Sequence, residues 1–259
     1  MTKEKRWEHA LAAAARAALR GGRIAHNFFR EPALEVQLKS DGSPVTRADK
    51  ESNRVIIEEL MKSDPHCGFL SEETGEFGPK HHRWIIDPLD ATKNFMRGIP
   101  FWAVLIAYEE DGEVVVSVIH EPANGGNLWM ARRGNGATLN GHPVHVSEVS
   151  ELEKALLLHG SVRHLYLGEA GYWTEFTRLF SKVGRTRGLG DYTNYTWLAE
   201  GLGDITFDTG LKWWDIAAPS LIVKEAGGTC CYDSESGKVI ATNGKFHNEF
   251  VLEFLKVIT

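Results

Sequence analysis

Two apolar runs, FWAVLIAYEE from Phe101 and EVVVSVIHEP from Glu113, are separated only by Asp111 and Gly112. Apolar runs joined by an Asp-Gly pair predict a β-hairpin, and the neighbouring segments must provide its sheet and its cover. RWIID before it and NLWMARR after it read as further strands, and GNGATLNG as a glycine-rich turn. Upstream, Trp7, Leu11, Ala14 and Ala18, then Ile24, Ala25 and Phe28, recur at helical spacing. They predict one long helix, bent or broken near Gly21 and Gly22. A second helix is expected from about Arg47 to Met61, with Thr46 as its N-cap, followed by a short strand in CGFLSEE. Beyond residue 150 strands and helices alternate. KALLLHG and DITFD read as strands. Helices are expected over EAGYWTEFTRLFSKV, Tyr192–Glu200, DIAAPSLIVKEAGG and about His247–Val257. The order predicts mixed sheets covered by helices, in two halves, 1–145 and 146–259.

A chain of 259 residues is long enough to bury such a core. Its 35 acidic residues outnumber its 29 basic ones, for a net charge of −6, so nucleic acid is not the expected partner. Cys67, Cys230 and Cys231 match no zinc spacing, and an odd count argues against a disulfide framework. Reduced thiols in a cytoplasmic protein are expected. The N-terminal segment carries charges throughout and reads as an amphipathic helix, not a signal peptide. No stretch approaches the roughly 20 apolar residues of a membrane span, so no membrane partner is expected.

The chemistry-bearing residues are acids at the ends of apolar elements. Glu72 and Glu73 end FLSEE, Asp87 and Asp90 end WIIDPLD, and Asp215 follows LKWW and opens a helix. Any one of them reads equally as a helix cap or a solvated loop charge, and Asp215 is a natural N-cap candidate. Together they read differently. Pro88 shapes the turn so that Asp87 and Asp90 can point to one side, and oxygen clusters of this kind suit Mg²⁺ or Mn²⁺. Thr92 follows two residues later, where ATKNFMRG could begin a helix whose backbone N–H groups would receive a phosphate. Carboxylates, a hydroxyl and a helix start predict metal-assisted transfer of a phosphoryl group to water.

These residues resemble the inositol monophosphatase superfamily of magnesium-dependent phosphomonoesterases. Its D-P-x-D-G-T-x-N-F motif is matched by Asp87-Pro88-Leu89-Asp90-Ala91-Thr92-Lys93-Asn94-Phe95. The W-D-x-A motif is matched by Trp214-Asp215-Ile216-Ala217, and the later E-A-G-G by Glu225-Ala226-Gly227-Gly228. Ser71-Glu72-Glu73 stands for the G-E-E element, and Lys39, Thr46 and Asp49 match the early K…T-x-x-D stretch. The resemblance implies a layered α/β fold, the αβαβα sandwich of the inositol monophosphatase and fructose-1,6-bisphosphatase type. It implies two or three Mg²⁺ ions held by Glu72, Asp87, the Leu89 carbonyl, Asp90 and Asp215. It implies that Thr92 and Asp49, with Glu72, activate water, that the amides of Ala91 and Thr92 receive phosphate, and that the protein is a homodimer. One residue departs from the motif: Ala91 stands where the family has glycine. Alanine there predicts a residue opening the helix in an ordinary conformation, since a positive φ would disfavour it.

The ester must be read from other residues. DATKNFMRG carries Lys93, within the first motif, and Arg97 just after it. GLGDYTNY places Asp191 and Tyr192, and ITFD places Asp208, where the family contacts the leaving alcohol. Two carboxylates would suit an ammonium, and Tyr192 or Tyr195 could stack on an imidazole. The pattern resembles the bacterial histidinol-phosphate phosphatase branch, so L-histidinol phosphate is the expected substrate. The competing reading of Asp191 is a helix cap. A broad inositol-1-phosphatase is the alternative. A nucleotide 3′-phosphatase lacks its basic and aromatic adenine pocket, a sugar bisphosphatase its second basic cluster, and a non-catalytic regulatory protein would be expected to lack a ligand. His81 and His82 read as solvent-facing, His159 and Ser161 as possible neighbours of the site, and Arg185 and Arg187 as a surface strand.

Overall fold

The computed structural model of the protein describes residues 2–31, 35–38, 44–162 and 172–246. The chain opens on α1 (Lys3–Phe28), a short hairpin β1 (Val36–Leu38) and β2 (Pro44–Thr46), and α2 (Arg47–Ser63). Next come β3 (Gly68–Ser71), β4 (Gly75–Phe77), β5 (His82–Asp90), the short helix α3 (Thr92–Met96) and the hairpin β6 (Ala103–Glu110) and β7 (Glu113–Glu121). β8 (Asn127–Arg132), β9 (Ala137–Leu139) and β10 (His142–Val144) continue the same sheet. The rest is β11 (Leu156–His159), α4 (Tyr172–Phe180), β12 (Arg185–Gly188), α5 (Asp191–Ala199), β13 (Ile205–Asp208), α6 (Trp213–Glu225), β14 (Thr229–Asp233) and β15 (Lys238–Thr242). Lys39 and the helix expected at His247–Val257 lie outside the described residues, as does the start of the helix expected before α4.

Eight strands form one sheet, in the order β10-β9-β8-β7-β6-β5-β3-β4. Five form a second, in the order β12-β11-β13-β15-β14. In β5 successive side chains leave opposite faces of the sheet. Trp84 and Ile86 pack against the alanines of α1 and against Ile56 and Leu60 of α2. Ile85 packs on the other side with Ala217, Leu221 and Ile222 of α6. The opposite flank of α5 and α6, through Tyr195, Leu198, Ile216 and Val223, meets Val239 and Ala241 of the second sheet. α4 covers the far face of that sheet through Phe176 and Leu179, which join Leu157, Ile205 and Phe207. The layers are therefore α1 with α2, the large sheet, α5 with α6, the small sheet, and α4. This is the αβαβα sandwich, and it confirms the expected fold class.

The predicted second helix and its cap are observed. Thr46 Oγ1 accepts from the Ala48 N–H at 3.1 Å, and Asp49 accepts from the Thr46 N–H at 2.7 Å. The expected break in the first helix is not: α1 runs unbroken through Gly21 and Gly22. The glycines serve packing instead. A Cβ on Gly21 would stand 2.6 Å from Ile56 Cδ1 of α2. One on Gly22 would stand 2.4 Å from Nδ1 of the buried His120 and 2.8 Å from Pro122 Cγ. The missing side chains let α1 approach α2 and the end of β7.

Gly22→Ala should therefore destabilise the protein by ~1–3 kcal/mol despite the better helix propensity of alanine, because overpacking outweighs it. Urea denaturation in EDTA measures the sign; stabilisation would mean that His120 yields freely.

Candidate active site

The site begins with an irregularity in β5. Asp87 pairs with Leu105 and Asp90 with Ala103, so three steps on β5 match two on β6. In a regular strand residues three apart face opposite sides; one extra residue brings them to the same side. Pro88 sits within this bulge, and its carbonyl accepts from Ser52 Oγ at 3.0 Å. Asp87 accepts from the Leu89 N–H at 2.9 Å, and Asp90 from the Tyr192 N–H at 2.8 Å. Both aspartates are buried.

The third aspartate arrives on α6. Asp215 sits in the first turn and accepts from the Lys212 N–H at 2.7 Å. It is a capping residue, as its sequence position suggested, but from inside the helix and not at the N-cap. α6 is tied to the large sheet at three levels. Trp213 Nε1 donates to Glu109 at 2.8 Å, Ser117 Oγ donates to the Ala218 carbonyl at 2.6 Å, and Glu225 accepts from the N–H groups of Gly134 (2.8 Å), Asn135 (3.1 Å) and Gly136 (2.8 Å). So anchored, α6 brings a carboxylate oxygen of Asp215 within 4.8 Å of those of Asp87 and Asp90.

These three line a cavity of about 260 Å³ with Glu72, Leu89, Ala91, Thr92, Lys93, Asp191, Pro44 and Leu211. A larger cleft, about 690 Å³, runs past Arg83, Glu109, Trp213, Lys224 and Tyr232. Its only lining carboxylate, Glu109, is already matched by Arg83 at 2.7 Å and Trp213 at 2.8 Å. The smaller cavity is where several carboxylates converge, with Lys93 on the same lining.

Burial, and then the proximity of Glu72, Asp90 and Asp215, pushes the Asp87 carboxyl well above the usual range. Burial, then Asp191 and Asp215, does the same to Asp90. Asp215 is pushed up to about 7, mainly by burial. A divalent cation is the natural complement to such a set: hard oxygens, buried, mutually repelling and within one ion's reach. The residues present therefore fit the divalent metal that the sequence pattern implies.

Thr92 Oγ1 lies 3.1 Å from the Leu89 carbonyl and 3.4 Å from Asp49 Oδ1. Burial raises Asp49 to about 6, against the opposing hydrogen bonds from Thr46. Ala91 corrects the expectation for its position. It does precede α3, but in the left-handed region, with φ 64° and ψ 43°. From that position its carbonyl accepts from the N–H groups of Asn94 (2.9 Å) and Phe95 (3.1 Å), as the residue before a helix does.

The residues expected around the leaving alcohol divide. Asp191 lines the cavity at φ 53°, just after Gly190. It is the first residue of α5 and not its cap, which is Gly190. Asp191 is open to solvent on one side; burial of the rest raises its carboxyl above the usual range, and Lys93 opposes the rise. Asp208 accepts from Asn194 Nδ2 at 3.1 Å and Tyr195 Oη at 3.2 Å, and burial raises it to about 7. It stands behind the cavity wall, close enough for Asp191 to raise it further. The two tyrosines have no ring to offer. Tyr192 is buried with its hydroxyl on Glu121, and Tyr195 is buried behind Asp208. Arg97 is exposed at the end of α3 and does not line the cavity, whereas Lys93 does. His159 packs its ring against Phe176 and Phe180 at 5.8 and 5.4 Å. Two contributors escaped sequence reasoning: the Tyr192 N–H, bonded to a residue 102 positions away, and Glu121 behind it. No local pattern signals either.

A family model for the inositol monophosphatase family matches residues 6–255. The chain is 38% identical to the inositol-1-monophosphatase of Mesorhizobium japonicum, over 88% of this chain and 86% of that protein. It is 37% identical to the histidinol-phosphatase of Streptomyces coelicolor, over 86% and 88%. The crystal structure of the extragenic suppressor protein suhB from Bartonella henselae superposes with a TM-score of 0.86 at 34% identity, covering 93% of this chain and 96% of that one.

Two outcomes are expected from this geometry. Relief of the left-handed alanine makes Ala91→Gly more stable by about 1 kcal/mol in metal-free urea denaturation; a loss would show that the Cβ packs favourably. The second concerns pH. Asp49 and Asp215 bind protons more tightly folded, at about 6 and about 7, than unfolded, near 3.8. Between those limits the folded state holds more protons, so metal-free stability falls as pH rises from about 4 to about 7. Mg²⁺ should accordingly raise the Tm more at pH 7.5 than at pH 5; an equal rise at both would contradict the charge argument.

Proposed function

The chain belongs to the inositol monophosphatase family, and on that premise we propose that its substrate is L-histidinol phosphate. The coarser activity follows from membership: a metal-dependent phosphomonoesterase, with the Asp87, Asp90 and Asp215 cluster as the metal-binding feature. In the proposed arrangement Glu72, Asp87, the Leu89 carbonyl, Asp90 and Asp215 hold two or three Mg²⁺ ions, or Mn²⁺. When bound, these ions supply charge neutralisation for the phosphate and acidify water.

The chain's own groups do the rest. The Thr92 hydroxyl, between the Leu89 carbonyl and Asp49, orients the attacking water. Asp49, raised to about 6 and so largely ionised at neutral pH, accepts the proton passed through Thr92 Oγ1. Glu72 stands on the same wall of the cavity and steadies that water. The amides of Ala91 and Thr92 and the Lys93 ammonium receive the phosphate oxygens.

The observation that favours histidinol phosphate is Asp191. It projects a carboxylate to the cavity beside Lys93, with Asp208 behind it. An ammonium on the leaving alcohol would form a charge-assisted pair with Asp191, where the hydroxyls of inositol would offer only neutral hydrogen bonds. Named relatives are split between the two activities at nearly equal identity, so inositol 1-phosphate remains the second reading.

Phosphate release from L-histidinol phosphate and inositol 1-phosphate should be compared side by side, with Mg²⁺ and with EDTA. A kcat/KM ratio of about 100 in favour of histidinol phosphate, ~2.7 kcal/mol, is expected, collapsing at least ten-fold in Asp191→Asn. Equal or reversed rates would refute the substrate and leave the phosphatase standing.

A further inference from the structure

Tyr192 connects two layers of the fold. Its N–H, in the first turn of α5, donates to Asp90 Oδ2 at 2.8 Å. Its phenol reaches the opposite way and donates to Glu121 Oε1. Glu121 is the last residue of β7, is buried, and does not line the cavity. Its other oxygen accepts from Asn127 Nδ2 at 2.9 Å, and that amide also donates to the Asn124 carbonyl at 3.0 Å. Both carboxylate oxygens are therefore occupied, and the β7–β8 turn holds the acceptor in place.

The chain approaching α5 does not supply this precision by itself. Gly190 and Asp191, in succession, have φ of 83° and 53°. Two left-handed residues produce a sharp turn that leaves the direction of the next N–H to whatever anchors the helix. α5 is anchored to the large sheet at both ends. At its C-terminal end Glu200 accepts from Trp129 Nε1 at 3.0 Å, and the Trp129 ring stands edge-on to the Tyr192 ring at 6.4 Å. At its N-terminal end the anchor is the phenol on Glu121.

We infer that the Tyr192–Glu121 hydrogen bond is a positioning device for Asp90: it fixes the start of α5 so that the Tyr192 N–H holds one Asp90 oxygen and leaves the other available to a divalent cation. The inference rests on Asp90 being part of a cation site. Neither the phenol nor Glu121 touches cation or phosphate. Outer groups that orient a ligand in this way commonly contribute 10- to 100-fold in metal affinity.

The test is isothermal titration of Mn²⁺ into the metal-free full chain, alongside the Mg²⁺ dependence of phosphate release. Tyr192→Phe keeps the ring and its packing and removes only the donor. It should weaken Mn²⁺ binding about 10-fold and raise half-saturating Mg²⁺ in parallel, with phosphate release regained at high Mg²⁺. Glu121→Ala should do the same. Glu121→Gln retains an oxygen for the phenol and moves any mismatch to the Asn127 side, away from Tyr192, so Mn²⁺ affinity should stay within about two-fold of wild type.

Wild-type affinity in Tyr192→Phe overturns the inference, even if its metal-free Tm falls, because the bond would then serve stability alone. Should that variant not fold, equal affinities in the two Glu121 variants overturn it just as well. Failure of the wild type to bind Mn²⁺ would overturn the cation site and this inference with it, whereas a binding wild type with an unaffected Tyr192→Phe overturns the inference alone.

Discussion

Mutual repulsion among buried carboxylates is the constraint around which the rest of this fold is arranged. Asp87, Asp90 and Asp215 bring oxygens within 4.8 Å of one another, with Glu72 and Asp191 on the same cavity wall. Like charges at such separations, away from water, oppose the compact state. Without a cation the cluster relaxes by holding protons; with one it becomes a binding site. In both states the protein must keep the three aspartates together, and they come from two distant elements. The anchoring of α6 through Glu109, Ser117 and Glu225 is the structural counterpart of that repulsion. The helix can hold a charge near two others because it is hydrogen-bonded to the large sheet at its start, middle and end.

The layered architecture explains why a single bulge is enough to make the other half of the site. Trp84, Ile85 and Ile86 are buried alternately toward α1 with α2 and toward α6, so the register of β5 is locked before the aspartates are reached. One extra residue at Pro88 then converts two opposite-facing positions into two that share a side. The same turn places Thr92 near Asp49, the capping residue of α2. In the proposed mechanism a helix cap and a proton acceptor would be one carboxylate. Its burial serves both roles, protecting the cap from water and raising the pKa.

How much of this was legible in the sequence depended on distance along the chain. Asp87, Asp90 and Thr92 lie within six residues, in a pattern whose local chemistry is plain, and Thr46 with Asp49 is a capping signature readable at a glance. The layers followed from the alternation of apolar runs and helices. Ala91 was misjudged because alanine carries no mark of the φ it adopts; a cost of about 1 kcal/mol is small enough for the surrounding fold to override. Gly21 and Gly22 were misjudged for a related reason. Read locally they weaken a helix, but their function is defined by Ile56 and His120, which the chain reaches only on folding. Tyr192 looked like a ligand-stacking ring, yet its phenol found a buried acceptor on β7.

The leaving-group side carries the same lesson into specificity. The aspartate cluster and the turn at Ala91 act on phosphate, which every ester of the family's class shares, so they cannot choose among alcohols. Discrimination has to come from groups that meet the alcohol, and a buried or half-buried charge is the strongest such group available, because an unmatched partner leaves it desolvated and unpaired. Asp208 is the buried charge but stands behind the wall, while Asp191 lines the cavity and is open to solvent on one side. Asp208 accepts from Asn194 and Tyr195, so under the proposed function it would act on an alcohol only through its field, while Asp191, which lines the cavity, would make the contact. Under the proposed function the choice of substrate would turn on Asp191, at the start of the same helix whose Tyr192 N–H holds Asp90.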